Sequence, residues 1–139
     1  MQATEWVWIA LGSNLAPRER YLAAGRAGVA AVPGVEVVAA SRIRETAPIG
    51  PEGQGPYLNQ MVLVRATTEP EALLVALQRI ERAAGRRRGA RWGPRTLDLD
   101  IVRFGDRHLA TPTLTLPHPE LDRRPFWLSQ MEELSVHVQ

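Results

Sequence analysis

The sequence predicts an α+β fold: a ferredoxin-like antiparallel sheet with a β-α-β-β-α-β core, helices packed on one face, and long loops. Three observations predict it. Short apolar runs suited to strands recur at Glu5–Leu11, Val35–Arg44, Tyr57–Ala66 and Leu97–Phe104. Helix-like segments fall between the first and second of these and between the third and fourth, which is the split βαβ order. A length of 139 residues is most simply one domain, so residues 1–139 are expected to form a single unit.

Each element has a local reason. Glu5–Leu11 is rich in aromatic and β-branched residues and apolar on both faces, as an inner strand is, with Gly12-Ser13-Asn14 expected to stop it. Pro17–Val32 reads as a helix with a proline near its start. Gly25 and Gly28 each weaken it by about 1 kcal/mol, so packing must hold it. Pro33-Gly34 ends it, and Val35–Arg44 follows as the second strand. Residues 45–56 hold three prolines and three glycines, a long loop of the kind that often binds. In the third strand, Tyr57–Ala66, Tyr57, Asn59, Met61 and Leu63 share one face. Thr68 and Glu71 form a capping-box pattern for the second helix. Leu73, Leu77, Ile80 and Ala84 then follow at helical spacing, with Gly85 at the C′ position. Residues 85–96 form an arginine-rich loop before the fourth strand, Leu97–Phe104. A short strand is expected near His108–Ala110, irregular chain over 111–126, and a short helix over Phe126–Leu134.

Composition narrows the function. A hydrophobic fraction of 45% and a charged fraction of 23% are those of an ordinary globular protein. No apolar run approaches the ~20 residues that span a bilayer, and the first residues lack a signal-peptide pattern. The expectation is a cytoplasmic protein without membrane association or an obligate protein partner. Without cysteine there are no disulfides and no thiolate metal sites. All 17 basic residues are arginines, yet the net charge is only +2, which argues little for nucleic acid.

The chemistry concentrates in Arg91-Trp-Gly-Pro-Arg-Thr-Leu-Asp-Leu-Asp-Ile101. Asp98 and Asp100, spaced i, i+2 on a strand, present two carboxylates to one face. Side by side they repel, a conflict that a hard cation such as Mg²⁺ resolves. The bland alternative is the solvated polar face of an edge strand. Upstream lie Arg86, Arg87, Arg88, Arg91 and Arg95 among glycines, a loop suited either to closing over phosphates or to plain solvation. Trp92 can be a core residue or a platform for a heterocycle. His118, between prolines, can donate to a phosphate oxygen or sit in a surface turn. With no lysine there is no Walker-type lysine, and no glycine-rich dinucleotide motif is present. A ferredoxin-like RNA-binding module using the basic loop is the alternative reading. It lacks the aromatic strand pattern of such modules and does not explain the paired aspartates.

Ala10–Leu15, Thr46–Pro51, Tyr57–Asn59, Arg91–Ile101, Leu116–His118 and Phe126 occur in one order and, taken together, closely resemble the 6-hydroxymethyl-7,8-dihydropterin pyrophosphokinase family of folate biosynthesis. The resemblance implies an ATP-dependent diphosphotransferase. It would move the pyrophosphoryl unit of ATP onto the hydroxymethyl group of the pterin, leaving AMP. It implies two Mg²⁺ ions held by Asp98 and Asp100, with Arg86 and Arg95 assisting transfer. It assigns Gln78, Glu81, Arg86, Arg88, Arg91, Arg95, Ile101 and His118 to ATP. Thr46, Pro48, Ile49, Tyr57, Asn59, Trp92 and Phe126 would form the pterin pocket. Thr113 stands where a family member carries an arginine.

Overall fold

The computed structural model describes residues 3–47, 56–85 and 96–138. The elements run β1 (Glu5–Ser13), α1 (Arg18–Ala30), β2 (Val35–Ala40), β3 (Arg44–Thr46), β4 (Tyr57–Ala66), α2 (Pro70–Ala83), β5 (Asp98–Phe104), β6 (Leu109–Ala110), β7 (Thr115–Leu116) and α3 (Pro125–Leu134). The main sheet has the order β2-β4-β1-β5, with β3 also on β4, and its strand pairs are antiparallel. This is the expected ferredoxin-like α+β topology.

Both faces of the two central strands are buried, for a reason visible in their alternation. Val7, Ile9 and Leu11 of β1 and Leu58, Val62 and Val64 of β4 face a core closed by Leu22 and Val29 of α1 and Leu73 and Leu77 of α2. Trp8, Ala10, Met61 and Leu63 face the other way, onto Trp127, Met131 and Leu134 of α3. The expectation of helices on one face is therefore corrected: α3 covers the second face. Its tryptophan, methionine and leucine bury that face's apolar side chains, which water would otherwise wet.

Four local expectations also change. β1 does not stop at Leu11; Gly12 and Ser13 continue it because both pair with Asn59 and Leu58 of β4. The run 35–44 is two strands, not one. At the break, Ser41 N–H donates to the Met61 carbonyl at 2.9 Å while Ser41 Oγ accepts the Met61 N–H at 2.9 Å, so a side chain replaces one ladder bond. Three residues then advance opposite two, from Ser41 to Arg44 against Met61 to Asn59, and the edge bends. The capping box does not form. The N-cap of α2 is Glu69, without a side-chain cap, and Pro70 takes the first helical position, where its missing N–H costs nothing. Glu71 instead accepts from Thr111 Oγ1 at 3.0 Å and Thr113 Oγ1 at 2.9 Å, tying the β6–β7 hairpin to α2. Finally, residues 111–126 are not irregular throughout, since β7 pairs with β6 and a 3₁₀ turn spans Leu121–Arg123.

The helical glycines have a packing role. A Cβ on Gly25 would lie 2.9 Å from Leu11 Cδ2, and one on Gly28 would lie 2.9 Å from Ile80 Cγ2. α1 thus approaches both sheet and α2 closely. Gly28→Ala should lower the melting temperature, because overpacking of ~1–3 kcal/mol exceeds a propensity gain of about 1 kcal/mol. In an Ile80→Ala background the same change should stabilise; a stabilising effect in both backgrounds would remove close packing as the reason for the glycine.

Candidate active site

The site is built from rows of residues that cross the sheet. Gly12 at the centre pairs with Asn59 on β4 and with Asp98 on β5. In the next row, Ala10 pairs with Met61 and with Asp100. Paired residues share a face, so Asn59, Asp98 and Asp100 all face the α3 side. Asn59 and Asp98 are two strand spacings apart, roughly 10 Å at about 4.8 Å each. Gly12 lies between them and Ala10 holds the same place in the next row, and these small residues keep the floor low.

Gly12 is a site residue that the sequence reading took for a strand stop. A Cβ there would lie 3.4 Å from Asn59 Oδ1 and 3.6 Å from Tyr57 Cδ1. Asn59 is buried, donates from Nδ2 to Thr46 Oγ1 at 2.7 Å, and holds its acceptor oxygen over Gly12. Thr46 and Tyr57 pair at the mouth of the 45–56 loop. Arg18 Nη1 draws the loop's ends together, donating to Glu45 Oε2 at 3.0 Å and to the Pro56 carbonyl at 2.9 Å. Thr46, Tyr57 and Asn59 are thus assembled as one wall, and Phe126 packs partly buried on the same sheet face from α3.

On the β5 side, the expectation of paired carboxylates on one face holds. Asp98 and Asp100 are half-buried, while Leu99 and Ile101 point into the opposite core. The side chain of Ile101 is therefore enclosed, and any nucleotide contact from it would use its backbone. Between the aspartates, the Leu99 N–H donates at 2.8 Å to Oε2 of Glu81, a carboxylate only 7% exposed on α2. Glu81 thus fixes the strand segment that carries both aspartates. Gln78, one turn earlier on α2, is exposed. Glu81→Leu should cost about 1–3 kcal/mol in denaturant unfolding by stranding that N–H, and Glu81→Gln should cost less because an acceptor remains. Equal losses would show that the carboxylate's charge, not the Leu99 bond, is what matters.

His118 arrives from the other edge of β5. Its backbone N–H donates to the Val102 carbonyl at 2.9 Å, which lays the ring beside Asp100, Nε2 to Oδ1 at 3.6 Å. Nδ1 accepts the Glu120 N–H at 3.0 Å, so in the neutral ring the proton sits on Nε2, the nitrogen turned toward Asp100. The ring rests edge-on against Trp127 with centroids 4.9 Å apart. Trp127 is a contributor that the sequence reading did not single out.

Pro48, Ile49, Arg86, Arg87, Arg88, Arg91, Trp92 and Arg95 lie outside the described residues. Thr113, which replaces an expected cation, is occupied by Glu71. Among the described residues no group of three or more His, Asp or Glu side chains could hold a metal by itself. Two neighbouring carboxylates on one strand face suit Mg²⁺, which keeps waters and takes its remaining ligands from substrate phosphates. No helix of the described residues is long and apolar enough to cross a membrane.

Over residues 8–136 the chain matches the family described as 7,8-dihydro-6-hydroxymethylpterin-pyrophosphokinase. It is 41% identical over 132 residues to the 2-amino-4-hydroxy-6-hydroxymethyldihydropteridine pyrophosphokinase of Bacillus subtilis, covering 95% of this chain and 79% of that one. Against the enzyme of the same name from Pseudomonas aeruginosa, identity is 43% over 130 residues, covering 93% and 80%. In fold it resembles the crystal structure of an HPPK-DHPS in complex with substrates, with a TM-score of 0.70 at 13% identity, covering 94% of this chain and 40% of the other. Wild-type Plasmodium falciparum HPPK-DHPS with pterin and p-hydroxybenzoate matches with a TM-score of 0.65 at 12% identity, covering 89% and 38%. The RNA-binding alternative finds no support among these relatives.

Proposed function

This chain belongs to the 7,8-dihydro-6-hydroxymethylpterin-pyrophosphokinase family, and on that premise we propose that it transfers the pyrophosphoryl group of ATP to the hydroxymethyl group of 6-hydroxymethyl-7,8-dihydropterin, a step of folate synthesis. The observation that supports this reading is the row Asn59–Gly12–Asp98 with Asp100 in the next row, an amide and two carboxylates on one sheet face.

The pterin is a flat ring with an amino group on its edge. The Asn59 Oδ1 over Gly12 accepts from that edge. Phe126 and Tyr57 offer aromatic faces to the ring, with Trp92, Thr46, Pro48 and Ile49 completing the pocket. Asp98 and Asp100 would hold the two Mg²⁺ ions of this reading, which would supply charge neutralisation along the phosphates. The hydroxymethyl oxygen attacks the β-phosphorus in line, the bond from the β-phosphorus to the α,β-bridging oxygen breaks, and AMP, the pterin diphosphate and a proton result. Asp98 and Asp100 fix where the phosphate chain lies. His118 donates from Nε2 beside them. Arg86 and Arg95 act on the charge that develops during transfer, while Arg88, Arg91, Gln78, Glu81 and the backbone at Ile101 contact the nucleotide. On this reading the reaction takes place in the cytoplasm, on one domain.

The test is to incubate the protein with ATP, Mg²⁺ and the reduced hydroxymethylpterin. AMP and pterin diphosphate should appear in equal amounts; ADP in place of AMP would overturn the assignment.

A further inference from the structure

The inward side of α3 carries one polar residue among Trp127, Met131 and Leu134: Gln130, 1% exposed. Its Nε2 donates to the Asn59 carbonyl at 3.2 Å, and its Oε1 has no hydrogen-bond partner among the described residues. A half-satisfied buried amide is a net cost, so stability does not account for it. Its position does. Phe126 lies one turn before Gln130 on the same helix, i to i+4, so the two stack on one side. α3 therefore brings an aromatic ring and, one turn on, a bond to the residue whose side chain forms the opposite wall.

The ground around this bond is open. A cleft of about 590 Å³ lies between β3 and α3, lined by Ile43, Arg44, Ser129, Gln130 and Glu133 among others. Among the described residues, hydrogen bonds tie α3 to this side of the sheet from Gln130 Nε2 to the Asn59 carbonyl and from the Arg42 N–H, in the break between β2 and β3, to Glu133 Oε2 at 2.8 Å. Only the first ends on a residue of the site.

We propose that Gln130 is a positioning residue that sets the separation of Phe126 from Asn59, and with it the affinity for the pterin. The inference rests on the function proposed above, and AMP formation by the unaltered enzyme establishes that function separately. Gln130→Met conserves volume and removes the unpaired oxygen, so the fold should persist. It should raise the KM for the pterin about tenfold, leave the KM for ATP within twofold, and change kcat little. In a Phe126→Ala background the same substitution should have no further effect on pterin affinity, because Gln130 acts through the placement of that ring, and its bond to the Asn59 main-chain carbonyl does not depend on the Asn59 side chain. In the unaltered protein, the Gln130 side-chain amide protons should exchange slowly and shift on saturation with pterin but not with a non-hydrolysable ATP analogue; this reading needs no variant to fold. An unchanged pterin KM in Gln130→Met, equal rises for both substrates, a full effect retained in Phe126→Ala, or an amide signal insensitive to pterin would each overturn the proposal.

Discussion

Asp98→Ala and Asp100→Ala should each lower AMP formation by about 10³-fold or more, roughly 4 kcal/mol of transition-state stabilisation, with the fold intact. The activity loss follows from the proposed use of both carboxylates to hold cations on a phosphate chain. The intact fold follows from their setting. Both are half-buried on the sheet face that α3 covers, and the strand is held by Leu99 and Ile101 in the opposite core and by the Glu81 bond to the Leu99 N–H. Removing one of two neighbouring negative charges also relieves repulsion, which offsets lost contacts such as that of Asp100 with His118, so the melting temperature should change little. Asp98→Asn and Asp100→Asn separate charge from shape: each should lose as much activity as its alanine counterpart. If unfolding tracks the loss of activity in all four variants, the pair is structural and the metal role fails.

Trp127→Ala should be the most destabilising single change in α3, at about 3–5 kcal/mol. The ring is 2% exposed, packs on the sheet face with Trp8 and Met61, lies edge-on to His118, and has the Arg124 guanidinium 4.7 Å from its centre. At roughly 2–4 °C per kcal/mol for a domain near this size, the melting temperature should fall by about 10 °C. Below that transition the variant should still turn over, with a raised KM for ATP resembling that of His118→Ala, since the ring that steadies the imidazole is gone. A variant as stable as the parent would show that α3 packs more loosely than the contacts imply. Normal ATP affinity in a destabilised variant would separate the packing role from the His118 role.

Much of this was legible from local pattern. β4 has the bounds its alternation predicts, α2 has the predicted apolar stripe, and Gly85 stands at its C′ position with φ +88. The i, i+2 aspartates share a face because a strand allows nothing else. The misreadings have one cause. A capping-box pattern at Thr68 and Glu71 names groups able to pair locally, but Pro70 and the nearby Thr111 and Thr113 offered another arrangement. The continuous run 35–44 looked like one strand because its break is closed by Ser41 against Met61, a partner 20 residues away. Gly12 looked like punctuation, and its use as a low floor beneath Asn59 depends on a neighbouring strand.

The sequence by itself determined which backbone segments could be strands or helices, and which side chains could carry metal, phosphate and ring chemistry, since periodicity and functional groups are properties of the chain. The tertiary structure alone decided that α3 closes the second sheet face, that Glu81 reaches the Leu99 N–H, that His118 turns its Nε2 toward Asp100, and that Gln130 meets Asn59. The last three contacts join residues 18 to 71 positions apart, and the 18-residue step from Asp100 to His118 carries a hairpin between them. Their geometry comes from strand register and helix docking, and neither is written in the residues that meet.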